Sequence, residues 1–189
     1  MSSLRARLIA LALGVVLVQG PAAGQTHAEL RGGVAVGSHT GTAAGLDFAP
    51  AFSYEALVIR PITPLLSVYG GYARTAFGCE EGFCLDRDLT VNGSHGVLGA
   101  EARKGWAWLR LGVLFGKTEV GTEGESPDMG PGLHLGAGVA LGSGRFRVLP
   151  GLSYRWLSAN TPSSSDHAVA VAADLGVGIR LGPPKDNQR

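Results

Sequence analysis

Residues 167–181 read HAVAVAADLGVGIRL, and their side chains alternate strictly between two kinds. The odd positions from Val169 to Leu181 are all apolar. The even positions are alanine or glycine, except for Asp174 and Arg180. A period of two is typical of a β-strand whose two faces meet different surroundings. The fold therefore depends on which of the two faces points outward.

The same alternation recurs along the chain, clearly at 28–36, 46–58, 108–116, 133–142 and 145–156, and more weakly at 65–77 and 90–103. This spacing predicts about eight strands. Tight turns are expected at 60–64, 104–105 and 143–144, and longer links at 39–45, 78–88, 120–128 and 159–166. Short and long links at opposite ends of an even-stranded array predict an antiparallel up-and-down barrel.

Three features indicate that the apolar faces point out of this barrel and into lipid. The opposite faces consist of small residues with a few charges, whereas a water-exposed surface carries many lysines, and this chain has only three Lys. The charges are of both signs, and arginine suits buried ion pairs. At a strand tilt near 45°, residues 169–181 would extend roughly 28 Å along the barrel axis. This height is close to the ~25 Å apolar band of membrane barrels. The predicted lumenal charge network comprises Glu29, Arg31, Asp47, Glu55, Glu101, Arg103, Arg110, Arg147, Arg155, Asp174 and Arg180.

Aromatic positions support two outward girdles at the ends of this band. Phe146 is expected near the short turns, and Phe48, Tyr72, Phe115 and Trp156 near the longer links. By strand parity, Trp106 and Trp108 fall on the polar side. Pro50 and Pro150 lie within predicted strands, where each requires a bulge or a lost ladder bond.

The first 24 residues have the features of a secretory signal peptide. Arg5 and Arg7 precede the apolar run LIALALGVVLV and the small-residue stretch PAAGQ, so cleavage is expected before Gln25. A transmembrane anchor is the alternative, but the run is short for a bilayer. Cleavage would remove two of the 16 basic residues and leave 14 against 15 acids. This near-neutral balance excludes a nucleic-acid footprint. We expect residues 25–182 to form the barrel and 183–189 a polar tail.

Two cysteines, Cys79 and Cys84, lie in the segment CEEGFC. In an exported chain, an even number of cysteines at short spacing predicts a disulfide, with reduced thiols as the alternative. A metal site is disfavoured because no nearby Cys or His completes a ligand set.

In these patterns the chain resembles the small eight-stranded outer-membrane barrel proteins of the OmpA/OmpX-like group. The resemblance rests on AVAVAADLGVGIRL, LHLGAGVALG and the hairpin rhythm. It implies short periplasmic turns, longer extracellular loops and location in the outer membrane. It also implies lipid, lipopolysaccharide and the barrel assembly machinery as partners. The family usually ends on an aromatic residue, whereas this sequence continues past Leu181 into GPPKDNQR.

The sequence offers no catalytic set and implies no cofactor. A lipid deacylase of this size would show a His and a Ser two apart on one strand face, but Ser38–His39 and Ser94–His95 are adjacent, and His134 and His167 lack a Ser or acid at matched spacing. We therefore expect a non-enzymatic barrel with a salt-bridged lumen, serving envelope structure or surface interaction. The alternatives are a lipid-processing enzyme, a narrow ion channel and a secreted lipocalin-like barrel with an apolar ligand.

The longer loops are the expected place for specificity, since loops on rigid scaffolds commonly carry binding. Segments 78–88, 117–128 and 159–166 contain nine acids against Arg87 and Lys117. Such a balance favours divalent cations or a basic partner surface, and simple solvation is the alternative. The segment DRDLTVN lacks the glycine and the terminal glutamate of a calcium loop.

Overall fold

A computed structural model describes residues 25–40, 50–78, 90–120, 129–142, 144–160 and 165–181. These residues form eight antiparallel strands that close into a barrel in sequence order. The strands are β1 (His27–Thr40), β2 (Ala51–Pro61), β3 (Leu66–Gly78), β4 (Thr90–Lys104), β5 (Ala107–Val120), β6 (Met129–Val139), β7 (Phe146–Asn160) and β8 (Ser165–Arg180). The predicted fold class is confirmed, including the two segments with weak alternation, which form β3 and β4.

The barrel closes where the first strand meets the last. β1 pairs with β8 along 14 register positions, from His27 opposite Arg180 to Thr40 opposite His167. The backbone N–H of Leu181 also donates to the carbonyl of Thr26 at 2.8 Å. Because closure leaves no unpaired edge between β1 and β8, the barrel satisfies its backbone groups internally.

Apolar side chains face outward, as the alternation predicted. In β8, Leu175 is 60% exposed whereas its neighbour Asp174 is 5% exposed. In β1, Leu30 is 63% exposed and lies between the buried residues Glu29 and Arg31. The most exposed large apolar side chains of the strands are Leu30, Phe52, Leu98, Leu109, Leu111, Phe146, Leu152 and Leu175. This exterior is the inverse of a soluble barrel, which would bury such residues.

The turns at one end of the barrel are short, as expected. Gly105 adopts φ +62° in the link between β4 and β5, a conformation that favours glycine. Trp106 follows it and is 66% exposed. The expectation that Trp106 lies on the polar face was wrong, because strand parity does not extend through a turn. Trp108, already inside β5, does face the lumen and is 4% exposed.

Two prolines bound the shortest seam of the barrel, between β6 and β7. Only seven register pairs, from Gly132–Leu157 to Gly138–Gly151, connect these strands. Leu141 and Val148 exchange both backbone bonds beyond that stretch, in the same register. In this hydrogen-bonding pattern, the backbone N–H of residue 150 would donate to the carbonyl of Val139, and that of residue 131 to the carbonyl of Ser158. Both residues are proline and have no N–H to donate. Pro150 therefore removes a ladder bond without a bulge. Pro50 forms an isolated bridge with Phe77 just before β2.

No helix among the described residues is long and apolar enough to cross a membrane. The predicted signal peptide, the polar tail, Phe48 and the Cys79–Cys84 pair lie outside the described residues. Those assignments stay predictions.

Candidate functional site in the barrel lumen

One arginine joins opposite walls of the lumen. Arg110 on β5 lies opposite Glu101 on β4 in the register, and its Nε donates to Glu101 Oε2 at 2.8 Å. Its Nη2 donates both to Glu101 Oε2, at 2.6 Å, and to Glu29 Oε2 on β1. Since three strands separate β1 from β5 in either direction, this arginine spans the diameter of the barrel. Arg103 Nη2 lies 2.9 Å from Glu101 Oε1 and 3.5 Å from Glu29 Oε1. We call Glu29, Glu101, Arg103 and Arg110 the Arg110 cluster.

A second group, the Glu55 cluster, also crosses the lumen. It comprises Glu55, Tyr69, His134 and Arg155. Arg155 Nη2 on β7 donates to Glu55 Oε1 on β2. His134 Nε2 on β6 lies 3.0 Å from the same oxygen, and Tyr69 Oη lies 3.0 Å from His134 Nδ1. β2 and β6 are opposite strands, so the Glu55–His134 contact is a second diametric link.

Arg31 and Trp108 connect the two clusters. Arg31 Nε lies 3.9 Å from Glu55 Oε2, and its Nη2 lies 4.0 Å from Asp174 Oδ2. The Arg31 guanidinium carbon is 4.4 Å from the centre of the Trp108 ring, and that of Arg110 is 4.6 Å from it. The indole therefore lies between two arginines, which cation–π attraction favours and direct charge repulsion opposes. Asp174 and the glutamates supply the compensating negative charge.

Glycines on the lumenal face make room for the largest inward side chains. A Cβ on Gly99 would lie 2.6 Å from Tyr69 Cζ, and the ring also approaches Gly112. A Cβ on Gly151 would lie 2.6 Å from Trp108 Cζ2. These separations are shorter than packing permits, so the glycines and the aromatic rings are complementary in shape.

Apolar side chains also pack together in the lumen, partly toward the longer loops. Phe77, Val91, Leu114 and Leu157 belong to one buried cluster. Leu157 on β7 reaches across toward β4, where a Cβ on Gly93 would lie 3.2 Å from its Cδ1. The lumen thus combines ion pairs with apolar packing.

The described lumen is closed to water. The following large inward side chains are at most 2% exposed, and they come from both ends of the lumen: Arg31, Arg110, Arg155, Tyr69, Phe77, Leu57, Ile59, Leu114, Leu149, Leu157, His95 and His134. A continuous aqueous passage would leave one side of such residues wet. Side chains therefore fill the interior, as the width of an eight-stranded barrel requires.

Most of the predicted charge network converges. The structure brings together Glu29, Arg31, Glu55, Glu101, Arg103, Arg110, Arg155 and Asp174. Arg147 and Arg180 sit on lumenal positions near the short turns, and no carboxylate oxygen of the described residues lies within 4.0 Å of either guanidinium. Asp47 lies outside the described residues.

The sequence offered His134 no Ser or acid at matched spacing, and the structure supplies an acid from another strand, because Glu55 contacts its Nε2. Spacing within one strand cannot reveal a partner on the opposite strand, and only the closed topology brings β2 to β6. The sequence does place both His134 and Glu55 on inward-facing strand positions, and this was the signal that could have suggested their contact. Tyr69, as a member of the Glu55 cluster, and Trp108, as the link between the two clusters, were missed for the same reason.

The expectation that Ser94 and His95 face opposite ways is confirmed. Ser94 is exposed, whereas His95 is 1% exposed and its Nε2 lies 3.1 Å from Thr118 Oγ1. The lumen therefore holds two imidazole–hydroxyl pairs, His95–Thr118 and His134–Tyr69. All four side chains are 1% exposed, so a substrate has no access to them in this conformation. Within the described ranges, no three His, Cys, Asp or Glu residues are grouped to hold a metal ion.

Together, the closed barrel, the apolar exterior and the filled ionic lumen define the class of small outer-membrane-type β-barrels. Solved structures agree on the fold. Neisserial surface protein A matches with a TM-score of 0.59 at 12% identity, over 82% of this chain and 97% of that one. Ail, the attachment invasion locus protein of Yersinia pestis, matches with a TM-score of 0.52 at 20% identity, over 84% of this chain and all of that one. A second structure of Ail, in complex with the heparin analogue sucrose octasulfate, gives 0.50 and 19%.

No family model and no curated protein matches the sequence. The likeness therefore concerns the small eight-stranded outer-membrane barrels as a fold, without assigning the OmpA/OmpX-like family within them.

Proposed function

We propose that this protein is a non-enzymatic barrel of the outer membrane with a closed lumen, which presents its longer loops for interaction at the cell surface. The observation that carries the proposal is the diametric contact of Arg110 with Glu29, within an interior where Glu29, Arg110 and Trp108 are each less than 5% exposed. An interior closed in this way leaves the loops and the outer surface as the places where other molecules bind.

Placement in a bilayer is supported by the exterior. Leu30, Leu98, Leu109 and Leu152 are each at least 60% exposed in the isolated barrel. Leaving so much apolar surface in water is unfavourable by about 25 cal/mol per Å², and lipid removes that cost. A lipocalin-like secreted barrel would instead turn these residues inward.

The loop sequences favour a basic partner. Segments 78–88, 117–128 and 159–166 hold nine acids against two bases. The Yersinia pestis protein has been solved with a sulfated polyanion, and such a ligand would be repelled by acidic segments. We expect the folded protein to pass through a heparin column at low salt without retention.

The closed lumen is tested by planar-bilayer recording of refolded wild-type protein. Heat-modifiable gel mobility establishes first that the barrel is folded. We expect no steady conductance steps, because no aqueous path crosses either cluster. Steady steps would overturn the proposal in favour of a narrow ion path along the arginines.

Location is tested by fractionating cells and washing the membranes with carbonate. The protein should stay in the outer-membrane pellet. Release into the wash would support a secreted soluble barrel instead.

The enzymatic alternative is tested with labelled outer-membrane lipids. The two imidazole–hydroxyl pairs are sealed from substrate, so no turnover is expected. Turnover that is lost in His95→Gln or His134→Gln would identify the corresponding pair as catalytic and overturn the non-enzymatic assignment.

A further inference from the structure

Two basic side chains, Arg74 and Lys117, belong to one outward register row that runs across three adjacent strands. In the register, Arg74 on β3 lies opposite Ser94 on β4, and Ser94 lies opposite Lys117 on β5. All three residues are exposed and face outward. Neighbouring strands are about 4.8 Å apart, so Arg74 and Lys117 flank Ser94 at roughly 10 Å from each other. Both side chains are long enough to converge above the serine.

The position of this row along the strands indicates what it meets. Two residues nearer the short turns, the same three strands present Tyr72, Gly96 and Phe115 in one row. Tyr72 and Phe115 are 39% and 56% exposed and belong to the outward aromatic positions near the loops. Aromatic residues concentrate where hydrocarbon meets headgroups. The basic row therefore lies one step beyond that boundary, at the depth of lipid headgroups on the loop side.

The serine hydroxyl is oriented by its neighbour. Tyr72 Oη donates to Ser94 Oγ at 3.0 Å, on the exposed surface. Because Ser94 accepts this bond, its own hydroxyl hydrogen is free to be donated. Guanidinium, ammonium and hydroxyl donors at one level form a set suited to a phosphate oxygen cluster.

Among the described residues, no acidic group forms an ion pair with this row. No carboxylate oxygen among the described residues lies within 4.0 Å of Arg74 or Lys117. Glu119 is outward and exposed two residues beyond Lys117, in the row with Ala76 and Asn92. It lies farther from the hydrocarbon, so the basic row separates it from the aromatic row.

We propose that Arg74, Ser94 and Lys117 form a binding site for the phosphate of an anionic membrane lipid in the leaflet on the loop side. The lipid's acyl chains would then lie along the apolar surface below Tyr72 and Phe115. This inference rests on the proposed membrane placement. It adds to that placement a site of defined chemistry on the outer wall of the barrel.

The test compares lipid selectivity in vesicles. Wild-type protein is refolded into phosphatidylcholine vesicles that contain spin-labelled phosphatidic acid or spin-labelled phosphatidylcholine, and the motionally restricted fraction is measured. The variant is Arg74→Gln/Lys117→Gln. The matched control is Lys104→Gln/Arg145→Gln, which removes the same charge from exposed positions at the short-turn end.

We expect wild type and the control to select phosphatidic acid several-fold over phosphatidylcholine, and the Arg74/Lys117 variant to lose that preference. Inorganic phosphate at millimolar concentration should not displace the lipid, because the acyl chains contribute to binding. Equal loss in both variants, or no preference in wild type, would overturn the site. Heat-modifiable mobility and restricted phosphatidylcholine in the same samples show whether the barrel inserts. Their absence would instead refute the membrane placement.

Discussion

Arg110 and Glu29 form an ion pair across the full width of the barrel, from β5 to β1. Neither strand touches the other through its backbone, so the pair is a tertiary contact that only the closed barrel creates. Both side chains are at most 3% exposed. A buried pair of this kind is costly to break, because the remaining charge has no solvent to replace its partner.

Replacing Arg110 with methionine should destabilise the barrel strongly. Glu29 and Glu101 would then face each other with Arg103 as the nearest cation. Loss of one partner of a buried pair costs about 3–5 kcal/mol. The free energy of unfolding, measured with urea in lipid vesicles, should fall by that amount. Arg145→Met, at an exposed turn position, should change it by less than about 0.5 kcal/mol. Equal effects of the two substitutions would show that the Arg110 cluster contributes little.

Removing both ends of this ion pair should open the lumen. In Glu29→Ala/Arg110→Ala the two long side chains that meet in the lumen are truncated, so water and ions can enter that level. Planar-bilayer recordings should show conductance steps several-fold above the wild-type background. The double variant Lys104→Ala/Arg145→Ala serves as the control and should remain silent. A silent Glu29/Arg110 variant would mean that other side chains close the lumen.

Gly99 should tolerate no side chain. A methyl group there would lie 2.6 Å from Tyr69 Cζ and would also meet the backbone of Leu111. Overpacking of this kind costs about 1–3 kcal/mol. Gly96→Ala, on the outer face of the same strand, is the matched control, because its nearest contact is Phe115 O at 3.7 Å. The urea midpoint should fall for Gly99→Ala and stay unchanged for Gly96→Ala. The reverse order would contradict the inward packing of Tyr69.

Pro150→Val should strengthen the seam between β6 and β7. Valine restores a backbone N–H that can donate to the carbonyl of Val139. Such a hydrogen bond contributes about 0.5–1.5 kcal/mol to stability. The urea midpoint should rise accordingly. Pro64→Val, in the exposed turn between β2 and β3, restores no ladder bond and should not raise it. If Pro150→Val lowered stability, the proline ring would be contributing more through packing than its missing N–H costs.

Strand number, strand direction and the choice of outward face were predictable, because they depend on a local period of two. Asp174, which is charged, is buried in the lumen, whereas its apolar neighbour Leu175 is exposed on the outer face, as the alternation in the sequence predicts. The inward positions of Glu29, Glu55 and Arg110 follow from the same parity. Eight strands then leave a lumen that must be filled, which predicted a plug rather than a pore.

The pairing of lumenal groups was not predictable, because it depends on the stagger of strands that are far apart in sequence. Glu55 meets His134 only because β2 and β6 lie opposite each other at matching heights. The position of Trp108 between Arg31 and Arg110 likewise depends on glycines of β6 and β7 that leave room for its ring. Alternation identifies a face, whereas register and glycine placement decide which residues touch.

Tryptophan quenching distinguishes apolar side chains that face lipid from a polar face that is sealed inside the barrel. The chain has three tryptophans. Trp156 is partly exposed on the outer face of β7, and Trp108 is buried in the lumen. Variants Trp106→Phe/Trp108→Phe and Trp106→Phe/Trp156→Phe leave one reporter each, and both are refolded into vesicles of phosphatidylcholine with brominated acyl chains. We expect strong quenching of Trp156 and no quenching of Trp108. Quenching of Trp108 by the brominated chains, with Trp156 unaffected, would contradict it.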